Sequence, residues 1–413
     1  MNIVIIGAGQ AAATLAFKLR ELDFTGEITI FGNESVYPYQ RPPLSKKYLS
    51  GAVAQEDLFI RDAAAYAENN IHIQLNNPVQ HIDLAEQYVK TRNGQTFFWD
   101  RLVFATGATP RGLPNAEIMQ QENVFTFRQL ADCHNLRPYM HPQRHLCIVG
   151  GGYIGLELEA VAREYGMQVT VLERETRILQ RVACQQTAQF VTRFHQAMQT
   201  EILTQQEIDT FTVQHNRVHQ LHLKSGKTLD IDVMVVGIGV IPETDLARQA
   251  NLTLNGGAIA VNDYCQTSDS RVYAIGDCCC FNWGGKNIRL ESVQNALEQA
   301  EVVAQHILGN LRAYHPSPWF WSDQGRLKIQ IAGLALDYDS VISRVDCPAT
   351  KASFWYFCGE TLVAVDALND ARAFMSGRKF IGTALANKER LADVTSELKT
   401  ILSPAVICSN LIV

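Results

Sequence analysis

The sequence has no hydrophobic run long enough to cross a membrane as a helix, and no excess of basic residues. Its longest apolar stretch, residues 233–241, is interrupted by Gly237 and Gly239, whereas a membrane-spanning helix needs about 20 apolar residues. The net charge of −6 argues against a nucleic-acid-binding surface. The chain enters a strand-like run at once, without a charged and apolar leader, so we expect a cytoplasmic protein that binds neither membrane nor nucleic acid.

Cysteine is also too sparse to hold a disulfide scaffold. The chain has 10 cysteines in 413 residues and no C-x-x-C pair, which favours reduced thiols. The run Cys278–Cys280 is expected to pack in the interior, because neighbouring side chains point in different directions and seldom share one metal. His215, His219 and His222 have a helical ligand spacing, but they lie in a strand-like segment where His219 and His222 face opposite sides. The sequence therefore predicts no metal site.

The chain contains the same supersecondary pattern twice. Residues 2–6 form a short apolar run ended by glycine, followed by a helical stretch and a second strand at residues 27–31. The pattern returns at residues 146–149, with a helix through Tyr165 and a strand at residues 168–172. Two such βαβ units imply that one chain holds two dinucleotides.

The first glycine-rich loop, Gly7-Ala8-Gly9-Gln10-Ala11-Ala12, matches the G-x-G-x-x-G/A fingerprint of dinucleotide binding. Gly7 permits a tight turn, Gly9 lets the backbone approach a pyrophosphate, and Ala12 keeps the helix close to the strand. The helix N-terminus then meets the phosphate charge. An acidic residue should follow the second strand and bind ribose hydroxyls, and Glu34 is the candidate.

The second glycine-rich loop fits the strict form of the fingerprint at Gly150, Gly152 and Gly155. Glu173 comes at the end of the following strand. A carboxylate there accepts hydrogen bonds from both hydroxyls of the adenosine ribose and repels a 2′-phosphate, so NADH is favoured over NADPH. NADPH stays an alternative, because a phosphate could use the nearby arginines at positions 174 and 177.

Three further segments add ligand-binding character. Residues 37–46 form a proline-stiffened loop with two cations, Arg41 and Lys46, and residues 105–111 close a strand with a sharp turn. Residues 273–277 end another strand with Asp277, which suits a hydroxyl-rich ligand. With the first glycine loop, these segments resemble the glutathione-reductase-type flavoproteins, in which an Asp at this point holds the ribityl chain of FAD.

The chain as a whole resembles the ferredoxin reductases that serve aromatic-ring dioxygenases and some haem monooxygenases. The most specific segments are residues 38–46, 150–159, 235–239, 291–296 and 318–324. The sequence departs from the family pattern at Gly32-Asn33-Glu34, where the family often has Gly-Asp-Glu. The tail, residues 405–413, is unusually apolar, and the resemblance indicates no role for it.

The resemblance implies a role for individual residues. Lys46 would lie near flavin N5, paired with Glu157, and these two are the expected catalytic residues; stabilisation of the helix N-terminus is the simpler role for Glu157. The expected FAD contacts are Gly7, Gly9, Gln10, Ala11, Ala12, Glu34, Arg41, Lys46, Val79, Arg128, Asp277, Val293 and Trp321. The expected NADH contacts are Gly150, Gly152, Ile154, Gly155, Glu173, Arg181, Gly239 and Glu291.

The resemblance also implies the architecture, an α/β fold with two Rossmann-like dinucleotide-binding domains of the glutathione-reductase type and a C-terminal α+β domain. The expected boundaries are 1–112 and 243–322 for the FAD domain, 113–242 for the NADH domain, and 323–413 for the C-terminal domain. Between the glycine loops, residues 71–104 are expected to form a β-meander with a turn at Asn93-Gly94, and residues 211–232 are expected to form another.

The implied activity is electron transfer from NADH through FAD to a two-iron two-sulfur ferredoxin that feeds an aromatic-ring dioxygenase. A haem monooxygenase system and a signalling flavoprotein resembling the apoptosis-inducing factors are the alternatives. Disulfide reductases and NADH peroxidases of this fold use a cysteine in the first domain, and this chain has none before Cys133. The sequence leaves the oligomeric state open.

Overall fold

The computed structural model describes residues 1–346, 348 and 350–402, so the apolar tail at 405–413 lies outside the described residues. The chain divides into two compact units. The first consists of Met1–Leu44, Gly51–Pro110 and Val240–Pro316, and the second of Ser45–Ser50, Arg111–Gly239 and Ser317–Val413. Within the described ranges, no helix combines the length and apolarity that a bilayer crossing requires.

The strands are, in chain order, β1 (Asn2–Ile6), β2 (Glu27–Phe31), β3 (Ile71–Gln74), β4 (Val79–Asp83), β5 (Tyr88–Thr91), β6 (Thr96–Phe98), β7 (Arg101–Phe104), β8 (Ala108–Pro110), β9 (Val124–Thr126), β10 (His145–Val149), β11 (Gln168–Leu172), β12 (Glu201–Leu203), β13 (Ile208–Gln214), β14 (Arg217–Leu223), β15 (Thr228–Asp230), β16 (Val233–Val236), β17 (Val240–Pro242), β18 (Leu254–Asn255), β19 (Ala258–Val261), β20 (Val272–Ala274), β21 (Cys279–Trp283), β22 (Lys286–Ile288), β23 (Trp319–Gln324), β24 (Leu327–Gly333), β25 (Ser340–Val345), β26 (Ala352–Cys358) and β27 (Thr361–Leu368).

The α-helices are α1 (Gln10–Glu21), α2 (Ala63–Glu68), α3 (Ala116–Met119), α4 (Leu130–Leu136), α5 (Tyr153–Glu164), α6 (Gln185–Ala197), α7 (Asp245–Gln249), α8 (Val293–Ile307), α9 (Ala371–Phe380) and α10 (Leu398–Ile401). Short 3₁₀ helices lie at Pro42–Ser45, Glu56–Leu58, Arg137–Tyr139, Gly276–Cys278 and Lys388–Ala392.

The first unit is built on a parallel sheet with the strand order β20-β7-β1-β2-β3. Both faces of its central strand β1 are buried, because Ile3 and Ile5 belong to one hydrophobic cluster and Val4 and Ile6 to another. A strand buried on both faces requires a continuous apolar run. Helices α1 and α8 supply the first cluster, and the antiparallel sheet β4-β5-β6 supplies part of the second.

The second unit contains another parallel sheet, with the order β12-β11-β10-β16-β9, and the antiparallel meander β13-β14-β15. It also contains an antiparallel sheet with the order β23-β24-β27-β26-β25. Helix α5 follows β10 and contacts β23, while α9 packs on β24 and β27. These contacts place strand β23 beside the helix that follows the second glycine loop.

The predicted fold class is confirmed, since both glycine loops join a parallel strand to a helix and the C-terminal part forms α+β structure. The meander predicted for residues 211–232 is present as β13–β15. The meander predicted for residues 71–104 is partly wrong, because only β4, β5 and β6 form it. Strands β3 and β7 instead pair in parallel with β2 and β1, since the apolar run Leu102–Phe104 is buried on both faces, as an inner strand requires.

Candidate active site

The first glycine loop joins β1 to α1 and leaves space at the start of the helix. Gly7 has a positive φ of 109°, and a Cβ there would lie 2.1 Å from the Ala105 carbonyl oxygen, so only glycine fits. Gly9, the N-cap of α1, would carry a Cβ with no protein atom within 4 Å. The helix begins without a side-chain cap or an acidic residue in its first turn. This end of α1, with Gln10, Ala11 and Ala12, therefore suits a pyrophosphate.

The acidic residue after β2 is held by the loop that follows it. Arg41 Nη2 donates to Glu34 Oε1 at 2.7 Å, and the Tyr39 hydroxyl donates to Glu34 Oε2 at 2.7 Å. Burial lowers the pKa of Arg41, but the neighbouring Tyr39, Glu34 and Asp277 outweigh it, so the pKa lies above its usual value. The structure thus brings together three residues that the sequence assigned to FAD, Glu34, Arg41 and Asp277.

The remaining predicted FAD contacts of the first unit lie at the ends of its elements. Asp277 lies in the 3₁₀ helix Gly276–Cys278, where the Gly276 N–H donates to Gln299 Oε1 of α8 at 2.7 Å. Val293 is the first residue of α8, whose N-cap Ser292 accepts a hydrogen bond from the Asn295 N–H. Val79 begins β4 and is buried in the core.

The second glycine loop repeats this geometry between β10 and α5. A Cβ on Gly150 would lie 2.5 Å from the Gly237 carbonyl oxygen, and a Cβ on Gly155 would lie 2.6 Å from the Gly150 oxygen. A Cβ on Gly152, the N-cap of α5, would meet only one atom within 4 Å, at 3.9 Å. In both loops the first glycine is required by protein packing and the middle one faces open space, where a phosphate fits.

The residues around this second loop favour NADH. Glu173 follows β11, and its carboxylate accepts hydrogen bonds from the N–H groups of Gly151, at 2.8 Å, and Glu175. Arg177 donates to backbone carbonyls at positions 180 and 183, and Arg174 pairs with Glu175. Both arginines that could bind a 2′-phosphate thus already have protein partners.

The other predicted NADH contacts lie in different elements of the structure. A Cβ on Gly239 would lie 3.3 Å from the Arg181 guanidinium, so these two residues are adjacent. Ile154 is 38% exposed in the first turn of α5. Glu291 lies in the first unit, where Arg289 forms an ion pair with it at 2.6 Å.

A short segment, Ser45–Ser50, belongs to the second unit because its neighbours are there. The Tyr48 hydroxyl is 2.8 Å from His134 Nε2 of α4, and Arg137 donates to the Tyr48 carbonyl oxygen at 2.6 Å. The Tyr165 hydroxyl donates to the Leu49 carbonyl oxygen at 3.3 Å. These bonds hold the part of the segment that follows Lys46.

Lys46 forms a nearly buried ion pair with Glu157. The Lys46 Nζ lies 2.7 Å from Glu157 Oε2, and the two side chains are 14% and 4% exposed. Ser45 Oγ donates to the same oxygen at 2.5 Å, and Ser322 Oγ donates to Glu157 Oε1 at 2.6 Å. The carboxylate therefore has three partners, which offset its removal from water. A cation so fixed acts strongly on charge that develops beside it.

Two further predicted FAD contacts lie in the second unit. Trp321 is in β23, with its ring centroid 5.5 Å from that of Trp319. Arg128 follows β9, and its backbone N–H donates to Asp132 Oδ2 at 2.7 Å. Ser45 and Ser322, the partners of Glu157, were not predicted from the sequence. Their only signal was a polar residue next to Lys46, and another that follows the aromatic residues 319–321 in strand β23.

The cysteine and histidine clusters take no part in this site. Cys278, Cys279 and Cys280 are buried, and burial raises the pKa of each thiol. His222 bonds to threonine hydroxyls on both neighbouring strands, at 3.0 and 3.1 Å. Among the described residues, no three His, Cys, Asp or Glu side chains form a metal-binding group, and the eight described cysteines are free thiols.

Two strand–glycine loop–helix units with a buried lysine–glutamate pair define a flavin- and pyridine-nucleotide-dependent oxidoreductase. A family model described as pyridine nucleotide-disulphide oxidoreductase matches residues 1–300, and one described as reductase C-terminal matches residues 319–402. The chain belongs to the pyridine nucleotide-disulphide oxidoreductase family. FAD and NADH, the predicted cofactors, are those of this family, and the open space at Gly9 and Gly152 fits them.

The relatives are reductases of small electron carriers. Putidaredoxin reductase from Pseudomonas putida is 35% identical over 415 residues, which cover 98% of this chain and 97% of the relative. Rhodocoxin reductase from Rhodococcus erythropolis is 35% identical over 402 residues, 97% of this chain and 94% of the relative. The solved covalent putidaredoxin reductase–putidaredoxin complex gives a TM-score of 0.93 at 35% identity and covers 97% of each chain. The predicted resemblance to ferredoxin reductases is confirmed.

Proposed function

We propose that this chain transfers electrons from NADH through FAD to a two-iron two-sulfur ferredoxin. The observation that carries the proposal is the Lys46–Glu157 pair, a fixed cation that the family resemblance implies would lie near the flavin. The names of the relatives support the acceptor class, since putidaredoxin reductase and terpredoxin reductase are named for small redox proteins. When bound, FAD supplies the step from a two-electron donor to a one-electron acceptor.

The protein contributes binding, orientation and electrostatics to this reaction. The N-termini of α1 and α5 bind the two pyrophosphates, and Glu34 and Glu173 bind the ribose hydroxyls. Lys46 would supply a positive charge that stabilises negative charge on reduced FAD; Glu157, which also accepts a hydrogen bond from Ser45, keeps the ammonium group in place. The predicted FAD and NADH contacts and the predicted domain boundaries form part of this proposal.

The proposed terminal acceptor of the electrons is an aromatic-ring dioxygenase. One relative is named as the ferredoxin reductase subunit of 5,5′-dehydrodivanillate O-demethylase, from Sphingobium, and is 35% identical over 405 residues. A haem monooxygenase system is the second candidate. We also propose a cytoplasmic location, in which the buried free thiols stay reduced.

The first experiment measures flavin reduction in an anaerobic stopped-flow instrument. The purified protein should carry FAD, and NADH should bleach it much faster than NADPH does. Reduced protein should then pass electrons to a two-iron two-sulfur ferredoxin. A protein that binds FAD but reacts sluggishly with both nucleotides would favour the signalling alternative, and a protein that cannot bind FAD would contradict the proposal.

The Lys46→Met variant tests the residue that carries the proposal. We expect it to reduce FAD roughly a hundredfold more slowly, as removal of a preorganised charge does in other active sites. Lys47→Met is the matched control, because Lys47 is the adjacent residue and is exposed. A double variant, Lys46→Met with Glu157→Gln, removes the unpaired buried carboxylate and should restore stability without restoring the rate.

A further inference from the structure

A row of buried polar side chains extends from Glu157 across strand β23. The Phe320 ring contacts Tyr153 of α5, with centroids 4.9 Å apart, and Ser322 and Gln324 lie on the same face of the strand as Phe320. Ser322 and Gln324 are fully buried. Buried polar groups are strongly disfavoured unless they form hydrogen bonds, so each of these side chains requires partners.

The partners form one continuous chain of hydrogen bonds. Glu157 Oε1 accepts a hydrogen bond from Ser322 Oγ at 2.6 Å, and Gln324 Nε2 donates to Ser322 Oγ at 3.2 Å. Gln324 Oε1 lies 2.8 Å from His195 Nε2 on α6. At the far end His195 Nδ1 lies against Glu159 Oε2. The Thr200 hydroxyl donates to the other oxygen of Glu159.

The hydrogen atoms in this chain can be arranged in only one order while Glu157 is ionised. A carboxylate paired with Lys46 only accepts hydrogen bonds, so Ser322 must donate its hydroxyl proton to it. Ser322 can then only accept from the Gln324 amide, which turns the amide oxygen towards His195. His195 Nε2 must therefore carry a proton and donate it.

This order also requires a proton between His195 and Glu159 at the far end of the chain. With a proton on Nε2, a neutral His195 would turn a bare Nδ1 towards the Glu159 carboxylate, so that two acceptors would face each other. A proton shared between these two atoms, carried by the imidazole or by the carboxyl group, removes that conflict. Helix α5 thus carries two buried acidic side chains, Glu157 facing Lys46 and Glu159 facing His195.

We propose that Ser322, Gln324 and His195 are positioning residues for the reaction, holding Glu157 and through it the Lys46 ammonium group. The inference rests on the proposed function, because it acts through Lys46. Glu157 Oε2 has two partners, Lys46 and Ser45, whereas Ser322 bonds to Oε1. Without Ser322 the Oε1 oxygen loses its hydrogen bond, so the carboxylate and Lys46 can shift together, and a small displacement of a catalytic charge has a large effect on rate.

Ser322→Ala and Gln324→Met test the proposal, and Ser353→Ala is the matched control. Ser353 is another fully buried serine of the same sheet, and it bonds to Trp355 Nε1 at 3.0 Å, away from this chain. We expect the first two variants to reduce FAD roughly tenfold more slowly than the parent, with little change in the KM for NADH. Ser353→Ala should keep the parental rate.

The midpoint potential of bound FAD gives a readout that does not depend on turnover. Lys46 stabilises negative charge, so its displacement should shift the potential of Ser322→Ala and Gln324→Met to more negative values. Melting temperatures identify any variant that has lost its fold, and Ser322→Ala, the smaller change, keeps the test informative if Gln324→Met unfolds. Parental rates and potentials in both folded variants would overturn the proposal.

NMR of protein labelled with ¹⁵N-histidine tests the order of the chain directly. His195, assigned by the loss of its signals in His195→Gln, should carry a proton on Nε2. A bare Nε2 would overturn the inference.

The two proposals fail differently: if Lys46→Met leaves flavin reduction unchanged, the proposed role of Lys46 fails. If only Lys46→Met slows it, the positioning chain fails alone.

Discussion

The Glu173 carboxylate accepts a hydrogen bond from the Gly151 N–H at 2.8 Å, so the acidic group after β11 is fixed against the second glycine loop. We propose that this carboxylate determines nucleotide preference, because an acidic residue after this strand of a dinucleotide-binding unit repels a 2′-phosphate. We expect Glu173→Gln to lower the preference for NADH over NADPH roughly tenfold, through loss of charge repulsion. The ratio of kcat/KM for NADH to kcat/KM for NADPH measures this preference. Glu201→Gln, which alters an exposed pair with Lys227, is the control, and an unchanged ratio in Glu173→Gln would contradict the assignment.

The two glycines of the first loop should respond differently to alanine. Gly7→Ala places a Cβ 2.1 Å from a backbone oxygen and should reduce the yield of folded protein. Gly9→Ala meets no protein atom within 4 Å, so it should fold but bind FAD roughly tenfold more weakly, because the new methyl group occupies the space of the pyrophosphate.

Gly152→Ala is the reciprocal control for Gly9→Ala. It should keep its FAD and raise the KM for NADH, since its Cβ projects from the start of the other helix. FAD content, melting temperature and KM separate the three variants. Full FAD content and affinity in Gly9→Ala would show that the open space does not hold the pyrophosphate.

The stability of the C-terminal sheet should depend on the protonation of Asp366. Burial raises its pKa to about 6, against the opposing hydrogen bonds from Tyr356 and Thr187. Because the folded pKa lies above the unfolded value of 3.8, Asp366 lowers stability as the pH rises between these values, by up to roughly 3 kcal/mol.

Asp366→Asn removes this titration. The melting temperature of Asp366→Asn relative to the parent should therefore rise between pH 4 and pH 7 and level off above it. Asp245→Asn, at an exposed position, should show no such trend. A difference between Asp366→Asn and the parent that stays constant with pH would contradict the buried, titrating carboxyl.

Thiol reactivity should follow burial. Burial raises the pKa of Cys147 to about 12 and that of Cys133 to about 11, whereas Cys358 is exposed at the end of β26. Among the eight described cysteines, N-ethylmaleimide should first label Cys358 in the folded protein at pH 7.5, and the others should react after denaturation. Peptide mapping by mass spectrometry identifies the labelled cysteines, and Cys358→Ser is the control. Rapid labelling of Cys147 in folded protein would contradict the core placement.

Local sequence was sufficient to predict both dinucleotide-binding units. In each loop the fingerprint residues lie within a few positions of one another, and a tight turn between a buried strand and a helix imposes its own residue types. The strands at residues 27–31 and 168–172 have the predicted bounds. The motif also indicated Glu173, because a strand end places the following residue at the edge of the sheet.

Tertiary structure decided the contacts between residues that are remote in the chain. Glu157 meets Ser45 and Ser322 across 112 and 165 positions, and no local pattern predicts such pairs. The partners of β3 and β7 were likewise misjudged, since alternation does not reveal which neighbour a strand chooses. Sequence periodicity determines which side chains share a face of one element, whereas packing determines which faces of two elements meet. The buried row of hydrogen bonds from Lys46 to His195 therefore exists only in the folded protein.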